Sequence, residues 1–189
     1  MSEQVPSAEE LRRLAAAARA DRASNRPPPH DLGDIAIHIA QDGSWFYRGT
    51  PITRMSLVRL FASVLRRESD GSYWLVSPAE RGRITVEDVP FLAVELMVTG
   101  VQGTHQSLSF RTNLDEIVAA DGTHPLRVAT DTQTGTPRPY LLVRDGLEAR
   151  LTRPVFYELV DLASEEDMGG MTRFGVWSNQ HFFPLGDLR

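Results

Sequence analysis

Two arginines with matching neighbours are the side chains in this sequence best suited to binding an anion. Arg54 and Arg153 each follow a threonine, and each stands at the beginning of a segment with helical periodicity. The positive end of a helix dipole disfavours a cation there by about 0.3–1 kcal/mol, and a bound anion reverses that cost. We therefore predict that these guanidinium groups contact a phosphate or carboxylate. The alternative is a structural ion pair with a carboxylate such as Glu80, Glu87 or Asp88.

Six further side chains complete the predicted ligand-binding set. The arginines among them would contact the anion, and the carboxylates would orient those arginines or accept hydrogen bonds from a base or ribose. The neutral pair follows a predicted strand and would supply hydrogen bonds. The six are Arg48, Arg111, Glu87, Asp88, Thr112 and Asn113. The predicted ligand is a small, nucleotide-like anion held where two repeats meet.

Signatures of catalysis and metal binding are missing from the sequence. It has no glycine-rich phosphate loop, no Gly-x-Ser-x-Gly elbow and no His-x-x-x-His pair among its five histidines. Glu87 and Asp88 are adjacent, so on a strand they point to opposite faces and cannot easily share one substrate. Asp121 and His124 stand close together, but a turn before Pro125 explains them without catalysis. No catalytic residue, metal or cofactor is predicted.

The composition narrows the class of protein. The 189 residues include 25 acidic and 20 basic side chains, which give a net charge of −5, and 41% are hydrophobic. This acidic balance argues against duplex nucleic acid as a partner. No apolar run is long enough to span a membrane and no signal sequence is evident, so we expect a cytoplasmic location. Cysteine and lysine are absent, which excludes thiol nucleophiles and a lysine Schiff base.

Hydrophobic periodicity predicts an α+β fold with mostly antiparallel sheets. Helical spacing is predicted over residues 53–65 and 155–163. Alternation predicts strands at 35–39, 45–47, 73–76, 83–86, 91–98, 107–111, 126–130, 140–143, 174–178 and 181–185. The spacing of Ser7 and Glu10 predicts a further helix to about Ala20, and a proline-rich linker follows it. Aromatic residues on several predicted strands are candidates for stacking on a base, although strand aromatics usually belong to the core.

The sequence contains an internal repeat. Residues 52–61 (ITRMSLVRLF) align with residues 151–160 (LTRPVFYELV), and each segment precedes an aromatic strand, at 73–77 and 174–178. We interpret this as a duplicated module of β-hairpin, helix and β-hairpin. The predicted organisation is an N-terminal helical arm and linker at 1–33, an N-terminal repeat domain at 34–86 and a C-terminal repeat domain at 87–189.

Several strings in the chain resemble a bacterial family known as domain of unknown function 1285. They are residues 42–49 (DGSWFYRG), 51–54 (PITR), 84–91 (ITVEDVPF), 124–127 (HPLR) and 174–178 (FGVWS). The resemblance implies an α+β fold with a duplicated core and a C-terminal half similar to a pleckstrin-homology barrel. It also implies a role in signalling, with a ligand between the halves, and it supplies no catalytic residues.

Three hypotheses on function follow. The leading one is a cytoplasmic ligand-binding or signal-transduction module without catalysis. The second is an enzyme that acts on a phosphorylated or carboxylated metabolite, and the third is an adaptor that binds a protein partner or forms a homodimer. Single-stranded nucleic acid is a further option through the strand aromatics, although the acidic composition counts against it.

Overall fold

The chain folds as two compact units, residues 1–88 and 89–189. The structure is a computed structural model that describes residues 28–167 and 169–187, and the two units are taken in turn. The predicted helix from Ser7 to Ala20 lies outside the described residues. The described part contains fifteen strands and two helices, so the protein is mostly β.

The described residues of unit 1 form a six-stranded mixed sheet and one helix. Its elements are β1 (His30–Ile39), β2 (Trp45–Tyr47), β3 (Thr50–Pro51), α1 (Met55–Ser63), β4 (Leu65–Arg67), β5 (Tyr73–Val76) and β6 (Glu80–Val86). The strand order is β3-β2-β1-β6-β5-β4. Only β1 and β6 pair in parallel, and the remaining neighbours are antiparallel.

The core of unit 1 follows from the alternation of its strands. Ile37 and Ile39 are buried on β1, and His38 between them points to the other face. The Trp45 ring stacks on Phe61 of α1, with ring centroids 6.3 Å apart. One face of the sheet therefore packs against α1 and forms the core of unit 1. The alternate residues of the strands form the opposite face, which we call the outer face.

Unit 2 contains a second six-stranded sheet, a helix and a three-stranded sheet. The six strands are β7 (Phe91–Thr99), β8 (Ser107–Thr112), β9 (Ile117–Ala119), β10 (Leu126–Thr130), β11 (Pro137–Arg144) and β12 (Leu147–Leu151). Their order is β10-β11-β12-β7-β8-β9, with β12 and β7 parallel. After α2 (Arg153–Asp161), the strands β13 (Ser164–Asp167), β14 (Thr172–Ser178) and β15 (His181–Asp187) form an antiparallel meander.

Buried polar contacts join the two sheets of unit 2. Ser178 is fully buried, and its Oγ accepts a hydrogen bond from the Leu108 amide at 2.9 Å while donating to the Ala120 carbonyl at 2.7 Å. Gln106 is also buried, and its Nε2 donates to the Trp177 carbonyl at 2.7 Å. Buried polar groups are tolerated when they are hydrogen-bonded, so these contacts fix β14 against the larger sheet.

The predicted strands and their mostly antiparallel pairing are confirmed, but both helices were placed wrongly at their ends. The first helix is shorter than the predicted 53–65, because Leu65 already belongs to β4. The second begins at Arg153 rather than residue 155, since Pro154 is compatible with the first turn of a helix. The short strands β3, β4, β9 and β13 were not predicted.

Candidate functional site

The eight predicted ligand residues divide equally between the two units. Those in unit 1 are Arg48, Arg54, Glu87 and Asp88, and those in unit 2 are Arg111, Thr112, Asn113 and Arg153. The prediction that Arg54 and Arg153 share one anion stays a prediction.

Arg54 and Arg153 stand at the helix beginnings, as their sequence positions indicated. Arg54 is the N-cap residue of α1, and Arg153 is the first residue of α2. Both side chains are exposed, and neither forms a hydrogen bond or ion pair with any of the residues that the structure describes. Neither helix has an acidic residue in its first turn. The structure thus offers no ion pair that would explain either arginine.

The other predicted residues of unit 1 have identifiable contacts. The Arg48 guanidinium carbon lies 5.4 Å from the centroid of the Tyr47 ring. Glu87 Oε1 lies 2.8 Å from Nε2 of His38, and its Oε2 accepts a hydrogen bond from the Gln41 amide at 2.9 Å. Glu87 therefore orients a histidine and the end of β1. Asp88 follows it and is half-buried.

Arg111 is held by two carboxylates of its own unit. Its Nε lies 2.5 Å from Glu95 Oε2, and its NH1 lies 3.1 Å from Asp115 Oδ1. The hydrogen bond to Glu95 and, to a smaller extent, the contact with Asp115 raise the pKa of Arg111. Because its charge is already balanced locally, Arg111 is a weak candidate for an anion contact.

Thr112 and Asn113 organise the turn after β8. The Thr112 hydroxyl is fully buried and accepts hydrogen bonds from the amides of Leu114 and Glu116, at 3.3 and 3.1 Å. The Asn113 Oδ1 accepts from the Leu92 amide at 3.0 Å. Both side chains therefore bind the backbone around them.

Asp121 and His124 lie together in the connection between β9 and β10. Asp121 Oδ1 accepts hydrogen bonds from the hydroxyl and the amide of Thr123, both at 2.7 Å, and from the His124 amide at 2.8 Å. His124 Nδ1 lies 3.2 Å from the same oxygen. These bonds, that of the Thr123 hydroxyl most of all, lower the pKa of Asp121 to about 2. The carboxylate is thus the centre of a turn.

The stability contributed by Asp121 is expected to depend on pH. Because its pKa falls from 3.8 to about 2 in the folded protein, the folded state favours the ionised form. Asp121→Asn should therefore lower the free energy of unfolding at pH 7, and the deficit should shrink as the pH drops from about 4 to 2. Urea unfolding of both proteins across this range measures it. A deficit of constant size would show that ionisation of Asp121 contributes nothing.

The outer face of the unit 1 sheet carries an arrangement that the sequence did not reveal. Trp74 on β5 pairs with Arg66 on β4 and with Arg83 on β6, so the three side chains stand side by side on one face. Trp74 is half-buried, and both arginines are exposed. No carboxylate among the described residues lies within 4.0 Å of either guanidinium. We call these three residues the Trp74 row.

Hydrogen bonds fix the orientation of the Trp74 indole. Its Nε1 donates to the Ser72 hydroxyl at 2.8 Å, and that hydroxyl donates to Asp70 Oδ1 at 2.6 Å. The Ser72 hydroxyl and amide lower the pKa of Asp70, so the last link in the chain is a carboxylate at neutral pH. The indole is therefore held in place before any ligand arrives.

A third arginine lies over the same indole. The Arg81 guanidinium carbon is 4.4 Å from the Trp74 ring. Asp31 Oδ2 holds this guanidinium through NH2 at 2.8 Å and Nε at 3.1 Å. Arg81 thus covers part of the indole with a partly neutralised charge. Arg66 and Arg83 form no ion pair within 4.0 Å among the described residues, but NH1 of Arg66 donates to the Leu65 carbonyl at 2.9 Å and the charge of Asp70 attracts Arg83 from a greater distance.

A second aromatic group stands on this outer face. The rings of His38 on β1 and Phe46 on β2 are stacked, with centroids 5.7 Å apart. His38 pairs with Thr85 of β6, which lies two residues from Arg83 and hence on the same face. Both rings are half-buried. We call His38 and Phe46 the His38 pair.

A similar row of side chains in unit 2 is not accessible to a ligand, because its aromatic ring is buried and one of its arginines is ion-paired. Tyr140 pairs with Arg127 on one side and Arg150 on the other, and the Arg127 guanidinium lies 4.2 Å from its ring. Tyr140 is only 5% exposed, and Glu148 binds Arg127 through both carboxylate oxygens, at 2.5 and 2.6 Å. An arginine-flanked aromatic can therefore serve packing alone, and the exposure of the Trp74 row is what distinguishes it.

No metal site and no membrane span were found in the part of the chain that the structure describes. Groups of three or more histidine, aspartate or glutamate side chains arranged to hold a metal ion are absent from residues 28–167 and 169–187. In the same residues, neither helix has the length and hydrophobicity needed to cross a membrane.

Comparison with known proteins identifies the family. Residues 25–89 match the model of the DUF1285 N-terminal domain, a domain of unknown function, and residues 90–185 match that of the DUF1285 C-terminal domain. A crystal structure of a DUF1285 family protein from Silicibacter pomeroyi DSS-3 is 45% identical, with a TM-score of 0.79, over 93% of this chain and 95% of that chain. One from Shewanella baltica OS155 is 26% identical, with a TM-score of 0.52, over 67% and 91%. Curated proteins gave no match. The chain therefore belongs to the DUF1285 family.

Proposed function

We propose that this protein is a cytoplasmic ligand-binding module without catalysis, and that unit 1 binds a small planar anion, such as a nucleotide, on the Trp74 row. The observation that carries the proposal is an indole held on an open sheet face between two exposed arginines that form no ion pair within 4.0 Å with a described carboxylate. A planar ring would stack on or beside the indole, and its phosphate or carboxylate would contact Arg66 and Arg83.

The electrostatics of the row favour this ligand. Arg66 and Arg83 flank the indole on the two neighbouring strands, and a guanidinium group forms strong charged hydrogen bonds with a phosphate or carboxylate. Base stacking on an aromatic side chain contributes about 1–3 kcal/mol. The Asp70–Ser72 chain behind Trp74 lowers the entropic cost, because the indole is oriented in advance.

The binding test uses adenosine 5′-monophosphate and isothermal titration calorimetry. We expect Trp74→Leu to weaken binding by about 5- to 150-fold, which corresponds to the stacking energy. Arg83→Gln should weaken it by about tenfold, the loss of one charged hydrogen bond. The matched control is Tyr73→Leu, which removes an aromatic ring from the same strand but from the opposite face.

Two results would contradict the proposal. One is the absence of any binding by the wild-type protein at millimolar nucleotide, and the other is an affinity that Trp74→Leu leaves unchanged. Arg54→Gln separates the two candidate positions. It should leave the affinity unaltered if the ligand lies on the Trp74 row and should weaken binding if the beginning of α1 holds the anion.

We also propose that the two units derive from one duplicated module, with the C-terminal half related to a pleckstrin-homology barrel and the whole protein acting in signal transduction. Support for the duplication comes from the order of elements. In each unit an antiparallel hairpin precedes a nine-residue helix that begins at a Thr-Arg pair, and a three-stranded antiparallel meander follows.

A further inference from the structure

We infer that the outer face of unit 1 binds single-stranded nucleic acid about three nucleotides long, with one base at the Trp74 row and another at the His38 pair. The inference rests on the proposed function, since it extends the ligand of the Trp74 row across the sheet. Its basis is the presence of two separate aromatic groups on one open face, joined by a strand that carries arginines.

The two aromatic groups are too far apart for a single base to contact both, and their separation fits a short single strand of nucleic acid. Trp74 and Phe46 lie on β5 and β2, with β6 and β1 between them. Three strand spacings and a shift of two residues place them about 16 Å apart. A single base cannot span that distance. Sheet faces that bind single-stranded RNA stack two or three bases on aromatic residues of neighbouring strands.

The strand β6 between the two groups contributes two guanidinium groups, of which Arg81 is bound by Asp31 and Arg83 stands opposite Asp34 of β1. Arg81 and Arg83 alternate with buried residues on β6, so both point to the outer face, together with Thr85. Arg83 is exposed. A chain running from Trp74 to Phe46 would therefore pass a phosphate over the exposed Arg83 guanidinium.

The second aromatic group is also oriented in advance. Nε2 of His38 is 2.8 Å from Glu87 Oε1, and the ring stacks on Phe46. A base can stack only on the sides of this pair that remain accessible, and both rings are half-buried. The carboxylate of Glu87 beside the pair repels a backbone that continues in this direction. The binding site is therefore short.

The experiment compares adenosine 5′-monophosphate with oligoadenylates of three and six nucleotides, by calorimetry on the full chain. The trimer should bind at least tenfold more tightly than the mononucleotide, and the hexamer should add less than threefold. Phe46→Leu should lower the affinity for the trimer at least fivefold and leave the mononucleotide unaffected, and Tyr73→Leu again serves as the control. One phosphate on Arg83 predicts about a 2.6-fold loss of trimer affinity between 50 and 200 mM salt.

The outcomes separate this inference from the proposed function. If the mononucleotide and the trimer bind with equal affinity, and Trp74→Leu still weakens binding of the mononucleotide, the inference is wrong and the proposed function stands. If Trp74→Leu leaves the affinity for the mononucleotide unchanged, both the inference and the proposed function are wrong. The gain from monomer to trimer is measured on the wild-type protein, so it stays informative if Phe46→Leu fails to fold. A parallel series with deoxyadenylates distinguishes RNA from single strands of either sugar.

Discussion

Replacing Gly175 with alanine is expected to lower the free energy of unfolding by about 3 kcal/mol, at the upper end of the usual cost of overpacking. Gly175 lies on β14, and a methyl group there would stand 2.4 Å from the Phe183 carbonyl oxygen and 2.6 Å from Cζ of Phe182. The carbonyl belongs to the paired strand β15 and cannot rotate away. The meander must therefore open locally to admit the methyl group.

Gly186→Ala is the matched control for this substitution. Gly186 lies on β15 of the same sheet, and a methyl group there meets no atom within 4 Å. We expect its stability to equal or slightly exceed that of the wild type, because alanine restricts the unfolded chain. Urea unfolding followed by tryptophan fluorescence measures both variants. Equal stability of the two would show that the close approach of β14 and β15 contributes nothing.

Ser178→Ala is expected to cost about 2–3 kcal/mol, because a buried donor is left without its acceptor. The Ser178 side chain accepts from the Leu108 amide and donates to the Ala120 carbonyl, and it is fully buried. The Ala120 carbonyl keeps a second donor, Asn179 Nδ2 at 2.9 Å, whereas the Leu108 amide loses its partner. Most of the lost stability therefore comes from the Leu108 amide, which has no hydrogen-bond acceptor in the variant.

Ser109→Ala provides the comparison for Ser178→Ala. Ser109 lies on β8, the strand that contains Leu108, but its side chain is half-buried and has no hydrogen bond with the described residues. Its removal should change the free energy of unfolding by less than about 0.5 kcal/mol. Hydrogen exchange of the Leu108 amide gives a second readout, and unchanged protection in Ser178→Ala would contradict the assigned role.

Local sequence patterns were sufficient for the longer strands and for the approximate positions of both helices. Alternation of Ile35, Ile37 and Ile39 with smaller or polar residues determines which face of β1 is buried, and this requires no knowledge of its partners. The Thr-Arg pairs place Arg54 and Arg153 at the helix beginnings for the same local reason. The helix ends were less predictable, because Leu65 fits both the helical stripe and the following strand.

The partners of the functional side chains depend on strand register, which single-strand patterns do not contain. Arg111 is neutralised by Glu95, which is 16 residues away along the chain and becomes its neighbour only when β7 and β8 pair. By itself, the sequence determined that Trp74 would lie on a strand. The tertiary structure alone decided that Arg66 and Arg83 flank it, because hydrogen bonds between backbones of three strands set that register.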